Sequence, residues 1–194
     1  GGSCGHLMRE KWVLDKLIEL DSKAAKLGCY FEYILTGALP KDGNIPQARY
    51  MSTAIKKNGG KTEGLTVEDM YAEYRLAHVN KSRVENYFAL MGLKIVEVGK
   101  KLTKGRFEGT IDLICEVTRD IMWNYYGVEW RKGQRIVIDL KYSGLIEDRW
   151  SKYGWVGTEE QKLYHGIQAT HYHMITGLPF YFLVVSSANE FDVK

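Results

Sequence analysis

The chain has 194 residues, a net charge of +3, 45% hydrophobic and 26% charged residues, and only three prolines. That length supports one domain with a substantial core, and the composition excludes a disordered tail or a fibre. The charge permits contact with phosphates without demanding it, no run approaches the roughly 18 apolar residues of a membrane span, and the N-terminus lacks the apolar core of a secretory signal. The expectation is a soluble, cytoplasmic protein with no membrane partner.

Residues 1–7 read as a short foreign leader ahead of Met8, so one domain is sought in 8–194, with an N-terminal helical and flap region over 8–65 and a core over 66–187. Cys4 falls in the leader, and Cys29 and Cys115 are too widely spaced for a zinc or iron-sulfur motif, so they read as reduced structural cysteines. Val13, Leu17, Leu20, Ala24 and Leu27 recur at helical spacing and predict an amphipathic helix over 9–27, with Gly28 as its C-cap. From Thr36 to Gly64 the text is loop-like around a short helix at about 47–57, whose lysines suit a substrate-facing flap. A long helix is predicted over 67–91. Thr66 with Asp69 forms a capping pattern, Gly92 closes the far end, and Val67, Met70, Tyr71, Tyr74, Val84, Phe88 and Met91 make the apolar side.

The period then drops from near 3.6 to 2, which marks entry into a sheet. Lys94–Gly99 reads as a first strand. Over Arg106–Val117, Phe107, Gly109, Ile111, Leu113, Cys115 and Val117 alternate with Glu108, Thr110, Asp112 and Glu116, which predicts a second. The aromatic stretch Trp123–Trp130 reads as an excursion or hairpin before a third strand, Arg135–Tyr142. Thr158 with Gln161 caps a helix over 159–176, Gly177 and Pro179 stop it, and Phe180–Ser186 is the last strand. The order α-β-β-β-α-β, with a helix crossing between the last two strands, implies an α/β fold with a mixed central sheet flanked by helices, preceded by an N-terminal helical part.

The anomaly lies in Ile136-Val137-Ile138-Asp139-Leu140-Lys141, a buried-strand text interrupted by two charges. Strand geometry sends Asp139 and Lys141 to the same face, and buried charges are costly unless paired or bound to a metal. An intrastrand ion pair is one reading. Asp112, in the apolar setting Ile111-Asp112-Leu113, supplies a second strand carboxylate, and two such groups converging make an oxygen-ligand site for a hard cation such as magnesium.

These residues resemble the PD-(D/E)xK nuclease superfamily, and within it the RecB-like exonucleases and CRISPR-associated adaptation nucleases, over roughly residues 74–187. Gly109-Thr110-Ile111-Asp112 looks like the G-x-x-D motif, Asp139-Leu140-Lys141 the (D/E)-x-K motif, and Gln168-Ala169-Thr170-His171-Tyr172 the Q-x-x-x-Y motif. The resemblance implies a restriction-endonuclease-like core and a Mg2+- or Mn2+-dependent DNA nuclease, an exonuclease by preference, with 5′-phosphate products. It implies Asp112, Asp139, Lys141, Gln168 and Tyr172 as catalytic residues, and Asp112, Asp139, the Leu140 carbonyl and His78 as metal ligands. Gln168 and Tyr172, one helical turn apart, would contact a phosphate or hold Lys141. DNA is the implied partner, with a helicase, an annealing protein or self-association as further ones.

The chain departs from the family in three places. Tyr74 stands where a glycine usually precedes the histidine, the four cluster cysteines are absent, and a long insertion separates Asp112 from Asp139. Its Trp123, Tyr125, Tyr126 and Trp130 read as packing before base stacking; His171 and His173 lie on different helix faces, which argues against zinc at His165, His171 and His173, and His165, one turn before Gln168, is placed to face the cleft. Competing readings are a catalytically silent nucleic-acid-binding or partner-supporting module of the same fold, and an endonuclease.

Overall fold

The computed structural model describes residues 23–38, 53–66, 69, 72–123, 128–144, 146, 155 and 163–187. Helix α1 spans Lys23–Thr36, α2 Thr53–Lys57 and α3 Ala72–Leu90. Strands β1, Leu93–Lys104, and β2, Phe107–Val117, follow, then the short β3, Ile121–Trp123, and β4, Val128–Trp130. Strand β5 is Arg135–Ser143, α4 is Leu163–Thr176 and β6 is Phe180–Ser186. The predicted helical turns over 9–22, the start of the short flap helix, Val67, Met70 and Tyr71 on the long helix, and Tyr125 and Tyr126 lie outside the described residues.

The main sheet has the order β1-β2-β5-β6. The first three strands run antiparallel, and β6 joins β5 in parallel. A parallel pair cannot be closed by a tight turn, so α4 serves as the crossover. This is the mixed, helix-flanked sheet expected from the element order. On one face, Leu113, Cys115, Ile136, Ile138, Leu183 and Val185 form a core with Leu27, Tyr30 and Phe31 of α1 and Tyr74, Ala77, Val84 and Phe88 of α3. Each fully buried side chain of this kind is worth about 1.5–3 kcal/mol. On the other face, Ile111, Ile114 and Val137 pack with Tyr172 of α4 and with Leu178 and Phe180.

Local signals explain most element ends. Asp69 accepts from the Thr66 amide and hydroxyl while its own amide donates to the Thr66 hydroxyl, a reciprocal cap before α3. Gly92, at φ +59°, closes that helix. Gly28 is not a cap. It lies inside α1, which runs on to Thr36 and ends at Gly37, φ +77°, whose amide donates to the Tyr33 carbonyl at 2.7 Å. Continuing the helix buries Tyr30 and Phe31 almost completely, which outweighs the roughly 1 kcal/mol that a mid-helix glycine costs.

Strand β1 is longer than its sequence suggests, because Lys100–Lys104 pair with Phe107–Ile111 as a hairpin arm that continues beyond the part of β2 paired with β5. The expected alternation of β2 is also interrupted. Ile111 packs on the α4 side and Leu113, two residues on, packs on the α1/α3 side. Asp112 lies at the switch, between the pairs Val98↔Leu113 and Lys100↔Ile111, and Gly99, between the same two pairs on β1, has φ +58°. The left-handed conformation there breaks the pleat of β1 where β2 changes sides.

Gly109 of β2 abuts α4. A Cβ there would meet the Tyr172 ring at 2.8 Å. Gly109→Val is expected to destabilise the fold by about 1–3 kcal/mol. Thermal unfolding checks this, and Tyr172→Ala in the same chain should return part of the loss if the clash is the cause.

Candidate active site

Ladder pairing between β2 and β5 ends at Leu113↔Ile138, and beyond it the strands part. The next residue on each side of the gap is a carboxylate, Asp112 on β2 and Asp139 on β5. Asp112 Oδ2 accepts the Leu140 amide at 2.8 Å, so a side chain takes the place that a ladder carbonyl would fill. Asp139 is buried, with 4% of its surface exposed. Its Oδ2 forms an ion pair with the Lys141 ammonium from the same strand, and its Oδ1 accepts from Gln168 Nε2 of α4 at 2.9 Å. The structure therefore brings Asp112, Asp139, Lys141 and Gln168 together. Tyr172, one turn beyond Gln168, stacks on Phe180 at 5.5 Å and packs against the arm at Gly109.

Sequence reasoning missed Glu32. It is half-buried on α1, the helix packed on the inner face of β5, and it shares the electrostatic field of Asp112, Asp139 and Lys141. Nothing in the local text marks it, because its meaning comes only from a helix placed by tertiary packing. Burial, with Asp139 nearby, raises its pKa above the ordinary carboxylate range, and Lys141 partly offsets this. Asp112 is pushed up to about 7, by burial first, then by Asp139 and Glu32, against the opposing pull of the Leu140 amide and Lys141. Burial likewise raises Asp139, with Lys141 acting in the other direction. Among the described residues, one ammonium thus faces three buried or half-buried carboxyls.

That donor chemistry fits a hard divalent cation. Among the described residues no three His, Cys, Asp or Glu side chains are drawn together as a ready-made metal cage. Magnesium does not require one, since it keeps several waters and takes one or two carboxylates together with substrate phosphate. His78 of α3 shares a 3.0 Å hydrogen bond with the Tyr30 hydroxyl of α1 and meets its ring edge-on, so its described partner belongs to the helix layer.

The other histidines reach separate surroundings. His165 stacks on Trp155 at 3.8 Å, beside Phe182, whose ring has the Lys141 ammonium 5.8 Å from its centroid. His171 meets Phe107 edge-on, and His173 bonds the Leu178 carbonyl at 2.7 Å. Of the aromatic insertion, Trp130 is buried and packs on Tyr181 at 5.3 Å, a core contact. Cys115 is buried among apolar groups and its thiol is pushed up to about 12, which makes it inert. No helix among the described residues is long and apolar enough to cross a membrane.

No protein-family model matches the chain, and no curated protein does. Among solved structures, the chain is similar to a protein from Eubacterium rectale provisionally named an exonuclease. The TM-score is 0.56 at 18% sequence identity, with 100% of this chain and 67% of that chain covered. At that identity the likeness is one of fold, a mixed α/β architecture.

Proposed function

We propose that the chain is a divalent-metal-dependent nuclease of the PD-(D/E)xK type that hydrolyses DNA phosphodiesters, by preference from an end. The observation that carries this reading is the meeting of Asp112 and Asp139 where β2 and β5 part, with Lys141 and Gln168 both fastened on Asp139. A purely structural ion pair would need Asp139 and Lys141 alone; it would not explain two further carboxyls held nearby at raised pKa.

Asp112 and Asp139 would hold Mg2+ or Mn2+, with Glu32 adding negative charge and the Leu140 carbonyl available beside them. When bound, the cation supplies positive charge to the scissile phosphate and makes water a stronger nucleophile at neutral pH. The chain's own groups position the rest. Lys141 keeps one ammonium proton on Asp139 and has others to direct at the attacking water or a phosphate oxygen. Gln168 fixes the carboxylate rotamer of Asp139. Water adds to phosphorus in line, the bond from phosphorus to the 3′ oxygen breaks, that oxygen leaves as a hydroxyl, and the phosphate stays on the 5′ side.

Purified protein incubated with end-labelled linear and covalently closed circular DNA, in Mg2+, Mn2+ or EDTA, tests this directly. Metal-dependent loss of linear DNA with survival of circles is the expected result. Cleavage of circles would make it an endonuclease, and binding without cleavage under every condition would leave a silent module of the same fold. Gln168→Leu is expected to lower turnover about 10- to 100-fold through loss of its hold on Asp139. An unchanged rate would remove Gln168 from the site, and Gln168→Glu should not rescue, since it places a like charge against Asp139.

A further inference from the structure

Alternation along β6 sends Phe180 and Phe182 to the α4 side of the sheet and Tyr181 to the other, where it meets Trp130. Phe182 is the register partner of Asp139 across the parallel β5–β6 pair, so its ring stands beside Asp139 on the face from which Gln168 reaches that carboxylate. The Lys141 ammonium lies 5.8 Å from the centroid of this ring, within the roughly 6 Å at which a π face attracts a cation. Three further rings hold the phenyl in place: Phe180 edge-on at 5.0 Å, Trp155 at 5.1 Å and His165 at 5.7 Å. A ring so held offers its negative face at a set position, where an aliphatic side chain of similar bulk offers none.

Among the described residues, the Lys141 ammonium touches a carboxylate of its own strand, Asp139, and the Phe182 ring of β6, while β2 lies on the other side of β5. We propose that Phe182 is a positioning residue for Lys141: its ring closes the β6 side of the Asp139–Lys141 pair and turns the ammonium toward the gap between β5 and β2, where Asp112 stands. The assignment rests on the nuclease reading and adds the group that aims its lysine. Lysine ends a flexible four-carbon stem, so a lone carboxylate leaves the rest of the ammonium free to swing. An ammonium has three protons and no acceptor. With one on Asp139 and one over the ring, the third is left for the attacking water or a phosphate oxygen, and Lys141, with 29% of its side chain exposed, has access to them.

The test compares wild type, Phe182→Leu and Phe182→Tyr, each carrying carbon-13 at the lysine ε-carbons. NMR spectra in EDTA, with the Lys141 signal assigned by its absence from Lys141→Met, report the contact without any turnover, because protons above an aromatic face resonate upfield. Hydrolysis of end-labelled linear DNA in Mg2+ over a range of DNA concentrations separates kcat from KM, at a temperature where thermal unfolding shows each variant folded. The Lys141 ε-methylene should lie upfield of the other lysines in wild type and Phe182→Tyr, and should rejoin them in Phe182→Leu. In Phe182→Leu kcat should fall about 3- to 30-fold with KM unchanged, and Phe182→Tyr should restore it. A wild-type Lys141 signal among the other lysines overturns the assignment, as does a signal that moves in Phe182→Leu while kcat stays at the wild-type value. An upfield Lys141 signal in a wild type that cleaves no DNA supports the ring's hold on the ammonium and refutes the nuclease reading instead.

Discussion

Asp139→Asn is expected to lower DNA hydrolysis roughly 10^3-fold or more while leaving the fold in place. Several kcal/mol of transition-state stabilisation depend on a cation and a charged ligand for it, and each 1.36 kcal/mol is tenfold in rate. Asparagine keeps the shape of the side chain and an acceptor for Gln168 Nε2, so the β5 core, with Val137 and Ile138 buried on either face, has no reason to move. Circular dichroism and thermal unfolding establish the fold, and product release from end-labelled DNA in Mg2+ measures the loss. Lys141→Met should be equally inactive for a different reason and with a different signature. It leaves Asp139 buried without its cation, so it should also lower the melting temperature, whereas Asp139→Asn should not. Full activity in either variant would remove the strand pair from the chemistry.

Asp112→Asn is expected to stabilise the metal-free protein at alkaline pH while also destroying activity. The Asp112 pKa is about 7 in the folded chain against 3.8 for an ordinary aspartate. Between those values the folded state binds the proton more tightly than the unfolded state, so stability falls as pH rises from about 4 through 7, and above 7 the whole penalty is present. Removing the charge should recover on the order of 4 kcal/mol, or about 8–16 °C in melting temperature for a chain of this size. Asparagine keeps a carbonyl for the Leu140 amide, so the link between β2 and β5 survives. Mg2+ should raise the melting temperature of the wild type at pH 8 and leave the variant nearly unmoved. A variant less stable than wild type at pH 8 without metal would show that Asp112 is not under electrostatic strain.

Much of this was legible in the text, for physical reasons that differ by element. The reciprocal Thr66–Asp69 cap, Gly92 and Gly177 mark helix ends through backbone requirements that only those residue types meet, and Phe180–Ser186 is bounded by Pro179. Asp139 and Lys141 stood out because charge inside an apolar strand needs an explanation. What stayed hidden depends on residues far apart in sequence. Gly28 reads as a stop until Tyr30 and Phe31 are seen against α3 and β5. Lys100–Lys104 reads as solvent-exposed loop until the pairing with Phe107–Ile111 is known. The change of side between Ile111 and Leu113 comes from a glycine conformation on a neighbouring strand, and Glu32 gains its meaning from an alignment across 80 and 107 positions with Asp112 and Asp139.

The two edges of the sheet face neighbouring molecules on unequal terms. Strand β1 bears four lysines, a register irregularity and the turned-over Gly99, three features that each obstruct a foreign strand seeking to extend the ladder. Strand β6, Phe-Tyr-Phe-Leu-Val-Val-Ser, has no charge and no proline. Its protection is burial of its last four residues, which lasts only as long as the helices stay docked. Partial unfolding would therefore expose β6 as the aggregation-prone edge, and the Trp130–Tyr181 contact is one of those that keep it covered.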